Sequence, residues 1–242
     1  MSMSFSTKYI ENEGTFYQIN PQTHNIKYFT YKNARYEIDF EQLKLYSTFF
    51  LNEEKQFKNI ECIQLLKDPE TKYFDLSESS IQTFILCSHG KNFQIKKEDV
   101  ISLYFLSIKF AVSGLQDVIQ SYISNNEKEL IFDLLSFKQN FINLYNTESS
   151  HAKYVNSLYL FSNQDTTKEE QILLENFPFY VRDKRFHTLP VALIYRVVSK
   201  YYQNPHENDE YEIHFLFDCL DYHKRSASVL FSVINIDENH KY

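Results

Sequence analysis

Four side chains near the end of the chain have the types and spacing of a metal site. Cys219 and His223 stand four residues apart, as do His214 and Asp218, so on a helix each pair shares a face. Successive helical residues are rotated by roughly 100°, so the two pairs diverge, whereas structural zinc needs four converging ligands. The spacing predicts a core cysteine and surface histidines, with no metal. Cys87 and His89 offer a nucleophile and a base. Two residues apart on a helix they face different ways, so they are not expected to work together. Glu53-Glu54 and Glu169-Glu170 are the adjacent carboxylates that acid–base chemistry would need. Neighbours on a helix diverge and both pairs stand in polar surroundings, so solvated faces are expected. No residue is assigned a catalytic, cofactor-binding or metal-binding role, and the chain is read as a non-enzyme.

Composition removes further chemistries. The 242 residues contain three glycines, Gly14, Gly90 and Gly114, where average usage would give roughly 17. A P-loop, a dinucleotide-binding turn, a kinase glycine-rich loop and a nucleophile elbow all need closely spaced glycines. Lys and Arg number 25 against 32 Asp and Glu, a net charge of −7, poorly matched to a polyanion. Lys96-Lys97 and Lys184-Arg185 are the densest basic spots, too small for a phosphate-tracking stripe, so nucleic-acid binding is not expected. There are 22 Phe and 19 Tyr but no Trp. Without a basic groove beside them these rings predict core packing rather than base stacking. Tyr201 is kept as an interaction candidate because tyrosine is enriched at hot spots, while Tyr202 is assigned to a buried stripe. The start, Met1-Ser-Met-Ser-Phe-Ser-Thr-Lys8, lacks the basic and apolar parts of a secretory signal. The longest apolar stretch, Val100 to Leu115, is interrupted by Ser102, Ser107, Lys109, Ser113 and Gly114 and falls short of the roughly 20 residues of a membrane span. Cys62, Cys87 and Cys219 are odd in number and scattered, so they are expected to be reduced. The reading is an intracellular protein, cytoplasmic or nuclear, away from membranes.

The elements that position these residues change character along the chain. Residues 1–23 are polar and are expected to be irregular. Ile26–Tyr31 and Ala34–Ile38 flank Lys32-Asn33 as a hairpin, with Asn33 suited to the positive φ of such a loop. Asp39 caps a following helix, with Gln42 placed for a capping box; Phe40, Leu43, Tyr46 or Ser47, and Phe50 fall on one side of it. Strands are expected over 59–66 and 73–76, then a helix from Ser77 to near Gly90 and a short extended piece, Phe93–Ile95. Val100–Val112 predicts a helix buried on several sides and closed by Gly114 as C-cap, followed by an amphipathic helix bearing Leu115, Val118, Ile119, Tyr122 and Ile123. Beyond Asn126 the pattern is helical. Short helices are expected over 130–137 and 155–161, separated by the polar stretch 146–150, and another over 169–176. Three apolar stripes follow: Val191, Ile194, Tyr195, Val198 and Tyr202 after Pro190; Ile213, Leu216, Phe217 and Leu220; and Val229, Leu230, Val233 and Ile234.

The order hairpin, helix, strand, short strand with helix, extended piece, buried helix and amphipathic helix resembles the BTB/POZ domain. Asp39-Phe-Glu-Gln-Leu-Lys-Leu-Tyr-Ser-Thr-Phe-Phe50 is similar to the family's first helix, with Leu43, Ser47, Phe49 and Phe50 at its leucine, serine and aromatic-pair places. Asp39 stands where many members carry histidine. Val100–Val112 and Leu115–Ile123 are similar to the family's last helix pair. The helical remainder looks like a BACK-type region, and Phe186-His-Thr-Leu-Pro190 with Ile213-His-Phe-Leu-Phe-Asp-Cys-Leu220 resembles BTB-plus-ankyrin proteins of protozoan parasites, without the repeats. The resemblance implies an α+β fold, a small mixed sheet flanked by helices followed by an all-helical BACK-like region, over an N-terminal segment 1–23, a BTB/POZ-like domain 24–125 and an extension 126–242. It also implies an adaptor or scaffold that self-associates as a homodimer, with Phe40, Leu43, Tyr46 and Phe50 divided between core and interface. A substrate adaptor docking the cullin scaffold of a ubiquitin ligase is the alternative. An unrecognised metal-dependent hydrolase and a helical-repeat scaffold are readings from other classes.

Overall fold

The computed structural model describes residues 3–5, 25–147, 166–203 and 210–233, and over these the fold is mixed α+β. It divides into two compact units, one made of the residues up to Asn126 together with the stretch from Asn140, the other of Glu127–Gln139 and the residues from 166 onward.

In the first unit β2 (Ile26–Tyr31) and β3 (Ala34–Asp39) form the expected hairpin. The left-handed backbone of its loop falls on Lys32 (φ 52°) rather than Asn33. β2 also pairs in parallel with β4 (Cys62–Gln64), giving a three-stranded mixed sheet in the order β3-β2-β4. Alternation along β2 buries Lys27, Phe29 and Tyr31. Lys27 is tolerated there because its ammonium donates to the carbonyls of Phe57 (2.9 Å), the last residue of α3 (Glu54–Phe57), and of Ile60 (2.6 Å). The amino terminus departs from expectation, since β1 (Met3–Phe5) pairs antiparallel with β5 (Phe93–Ile95).

Residues 73–76 are not a strand. The N–H groups of Tyr73 and Phe74 bond back to Glu70 of α4 (Asp68–Thr71), and that of Leu76 bonds to the Tyr31 hydroxyl. α5 (Glu78–Ser88) starts where Ser77 Oγ accepts the Ser80 N–H and ends at Gly90, whose φ is 63°. α6 (Val100–Lys109) is buried nearly all round and follows a 3₁₀ turn, Lys97–Asp99. Gly114 does not close it. Ala111 takes the left-handed position (φ 48°), with Val112 N–H bonded to Ser107 and Ala111 N–H to Ile108. Gly114 is instead the second residue of α7 (Ser113–Asn125), which buries Leu115, Ile119, Tyr122 and Ile123.

The expected short helix 130–137 belongs to a 21-residue helix, α8 (Glu127–Thr147), which also takes in part of the polar stretch 146–150. The helix expected over 155–161 lies outside the described residues, as does Ile234 of the last stripe. The second unit continues with α9 (Thr167–Glu175), α10 (Phe177–Tyr180), α11 (Val191–Tyr201), α12 (Glu210–His223) and a 3₁₀ helix, Lys224–Ser232. Its core holds Ile131, Leu173, Phe177, Phe186, Ile194, Val198, Phe215 and Leu230. The buried stripes are rotated from expectation. α11 buries Leu193, Ile194, Val197 and Val198 and leaves Tyr195 exposed; α12 buries Phe215, Leu216 and Cys219 and leaves Phe217 exposed. In the 3₁₀ helix Ala227 and Leu230 are buried, three residues apart as that helix requires. Among the described residues no helix is long and apolar enough to cross a membrane.

Candidate functional site

The candidate interaction residues lie where β3 runs into the first helix. Asp39 keeps an extended backbone and its Oδ1 accepts the N–H groups of Glu41 (3.0 Å) and Gln42 (3.4 Å), which starts α1 (Phe40–Tyr46). Ser47 breaks the run. Its hydroxyl donates to the Phe110 carbonyl and accepts the Phe50 N–H (3.2 Å), so it caps a second helix, α2 (Thr48–Asn52). The break turns Phe50 inward, where its ring stacks on Phe110 at 5.1 Å and meets Phe29 and Phe40 at 5.9 Å each.

Of the four residues proposed to divide between core and interface, Phe40, Leu43 and Phe50 lie in the core, at 1% exposure or less. Tyr46 is half-buried, and its hydroxyl fills the space beside Gly90, where a Cβ would come within 2.1 Å of it. The side chains on the solvent side are Leu45 and Leu51, 46% and 54% exposed. Their signal is present in the sequence. Leu45 sits two places from Leu43, about 200° round the helix, and so off the buried stripe. Lys44, next to Leu45 in the chain, is paired with Glu41 at 2.8 Å and Glu54 at 2.5 Å.

Tyr201 is half-buried against the second unit's core, its ring 4.2 Å from that of Phe177. Tyr202 donates its hydroxyl to buried Glu212 at 2.6 Å, and burial together with that carboxylate raises its pKa. The other candidates for chemistry are dispersed. Burial pushes the Cys87 thiol up to about 12, and His89 uses Nε2 to accept the Asp39 N–H at 3.2 Å. Cys219 is fully buried, its thiol also raised to about 12 by burial, while His223 Nε2 lies 2.8 Å from the His187 carbonyl. Among the described residues no group of three or more His, Cys, Asp or Glu is placed to hold a metal ion.

Glu169 and Glu170 are not on a solvated face, being 4% and 6% exposed. Glu169 pairs with Lys138 at 2.6 Å. Glu170 Oε1 receives Arg196 Nε (3.0 Å) and Nη2 (2.7 Å) and the Thr166 hydroxyl (2.6 Å). Burial alone would raise the Glu170 carboxyl, but the Arg196 and Thr166 donors outweigh it and hold the pKa below its usual range. Glu54, by contrast, is an exposed carboxylate on Lys44. These acids are held by structural partners. No known family model matches the chain, and no curated protein matches it.

Proposed function

We propose that the chain is a protein–protein interaction module, a BTB/POZ-like unit with a BACK-like helical extension, that self-associates through α1 and α2 and serves as an adaptor or scaffold. The supporting observation is the exposure of Leu45 and Leu51 on a helix pair whose Phe40, Leu43 and Phe50 lie in the core and whose Tyr46 and Phe49 are half-buried. Lys44, next to Leu45 in the chain, is held by Glu41 and Glu54, and an exposed leucine beside a fixed charge suits the apolar centre and polar rim of a docking surface. The order of elements and the Ser47 hinge, which ties the first helix pair to the end of α6, support the family resemblance.

The test is size-exclusion chromatography with light scattering on the wild type and on Leu45→Asp/Leu51→Asp, with circular dichroism as a check on folding. A self-associated wild type and a folded variant of lower mass are expected. A variant with unchanged mass would overturn the placement of the interface. Leu43→Asp and Phe50→Asp are unsuited to the purpose, because a buried charge there unfolds the unit whether or not it dimerises. Adding a purified cullin N-terminal fragment to the same experiment tests the adaptor reading, in which the mass rises by the fragment's own.

A further inference from the structure

β3 is one of the two outer strands of the mixed sheet, the other being β4, and is bonded on one side to β2. Tyr28 N–H donates to the Glu61 carbonyl and Leu65 N–H to that of Thr30, both at 2.9 Å, so Tyr28 and Thr30 turn their backbone groups toward β4. Lys27, Phe29 and Tyr31 therefore face β3, opposite Ile38, Tyr36 and Ala34. By the same alternation Arg35, Glu37 and Asp39 turn their N–H and C=O groups away from the sheet. Asp39's N–H is taken by His89 Nε2. Arg35 and Glu37 are left as two outward rungs with exposed side chains on one face.

The geometry points to edge-to-edge pairing of β3 with β3 of a second copy, antiparallel and centred on Tyr36. The rungs fix the register, because only outward-facing residues bond one another across such an edge. Three registers about a two-fold axis satisfy that. Centring on Arg35 or on Glu37 sets like charges directly opposite; centring on Tyr36 sets Arg35 opposite the partner's Glu37, twice. Glu37 makes no ion pair among the described residues. Arg35 lies across Tyr28 of β2 with one donor on Cys62 Sγ of β4, at 3.0 Å, so meeting Glu37 of a second copy requires its side chain to swing back to the outer edge. The partner is thus a second copy of this chain, and the product is a six-stranded sheet. This surface is separate from α1 and α2, so the inference does not rest on the helical interface.

Sedimentation velocity over a concentration series tests it. Arg35→Glu places acid opposite acid at both rungs and is expected to weaken association about tenfold. Arg35→Glu/Glu37→Arg restores the pairing with its charges exchanged and is expected to return to wild-type mass. Glu37→Pro removes an outward N–H that none of the described residues takes, so it is expected to stay folded and lose the pairing. Association unchanged by Arg35→Glu, or an exchanged double variant no better than the single one, overturns the inference. So does a folded Glu37→Pro that associates like wild type; if that variant unfolds, the charge exchange alone decides. Leu45→Asp/Leu51→Asp separates the two surfaces. Loss of mass in that variant but not in Arg35→Glu removes the β3 edge and keeps the helical interface, and the converse pattern does the reverse. A wild type that stays monomeric throughout overturns both.

Discussion

At the scale of single residues the least expected feature is a buried ion pair. Lys109 and Glu70 form a salt bridge with side chains 1% and 5% exposed, the ammonium lying 5.8 Å from the centre of the Phe105 ring and 5.5 Å from that of Phe110. The pair ties α4 to α6, and Glu70 also accepts the Lys67 N–H at 2.7 Å at the start of its own helix. Removing one partner strands the other's charge in an apolar setting, so Lys109→Met is expected to cost about 3–5 kcal/mol in urea unfolding. Lys109→Met with Glu70→Leu replaces both charges by packing and is expected to recover most of that loss. If the double variant is as unstable as the single, the pair is net stabilising. A second residue carries a pH dependence. His89 is half-buried and its neutral ring accepts the Asp39 N–H; burial and then Lys91 lower its pKa from the ordinary 6.5, against the pull of Asp39. The unfolded chain therefore binds the proton more readily than the folded one. Stability from this site is complete above pH 6.5 and is lost as the pH falls below it, toward the depressed folded value. Unfolding measured from about pH 7.5 to 5 should steepen in wild type relative to His89→Gln, and parallel curves would remove His89 as the cause.

At the scale of elements, two helices end by the same device with different residues. α5 closes with Gly90 at φ 63° and α6 with Ala111 at φ 48°. Both place the next N–H on a carbonyl five residues back, Lys91 on Leu86 and Val112 on Ser107. Glycine takes that backbone freely and alanine does not, so Ala111→Gly is expected to stabilise by roughly 0.5–1 kcal/mol in thermal or urea unfolding. Gly90→Ala should do the opposite and by more, since its Cβ would drive into the Tyr46 ring as well as strain the backbone. The contrast marks what the sequence makes legible. Start signals such as Asp39 and Ser77 act on N–H groups within three residues, and Pro190 lacks an N–H that a helix start does not need, so the first turns of α1, α5 and α11 can be read directly. The Ser47 break cannot, because it depends on Phe110, 63 residues away. Ala111 displaces Gly114 as the cap for the same reason, its carbonyl accepting the Thr48 N–H. β1 is three residues whose partner strand lies some 90 positions on. The burial of Glu169 and Glu170 depends on Lys138 and Arg196, so the polar neighbours along the chain that predict a solvated face say nothing about it. For the interaction site, periodicity picks out the buried stripe of α1, but which apolar residues remain outside follows only once the kink has drawn Phe50 in.

At the scale of the whole molecule, the aromatic surplus is divided between two cores. Phe29, Phe40, Phe50, Phe84 and Phe110 form one set of ring contacts in the first unit. Phe132, Phe177, Phe186 and Phe215 form another in the second. Each unit thus carries its own apolar driving force, and the division falls within α8, between Gln139 and Asn140. Where a chain holds two cores, unfolding need not be all-or-none. Phe50 and Phe186 are both fully buried, so each truncation to alanine removes ring contacts worth about 3–5 kcal/mol. If the cores melt independently, calorimetry should resolve two transitions, with Phe50→Ala lowering one midpoint and Phe186→Ala the other. A single transition lowered equally by both would make α8 a rigid coupling that melts both cores together. Self-association separates the same two cases. A partner that binds only the folded first unit stabilises it by mass action, so raising the protein concentration should lift the midpoint that Phe50→Ala lowers and leave the Phe186-sensitive one in place. Movement of both midpoints with concentration would place an association surface, or the coupling, in the helical unit as well.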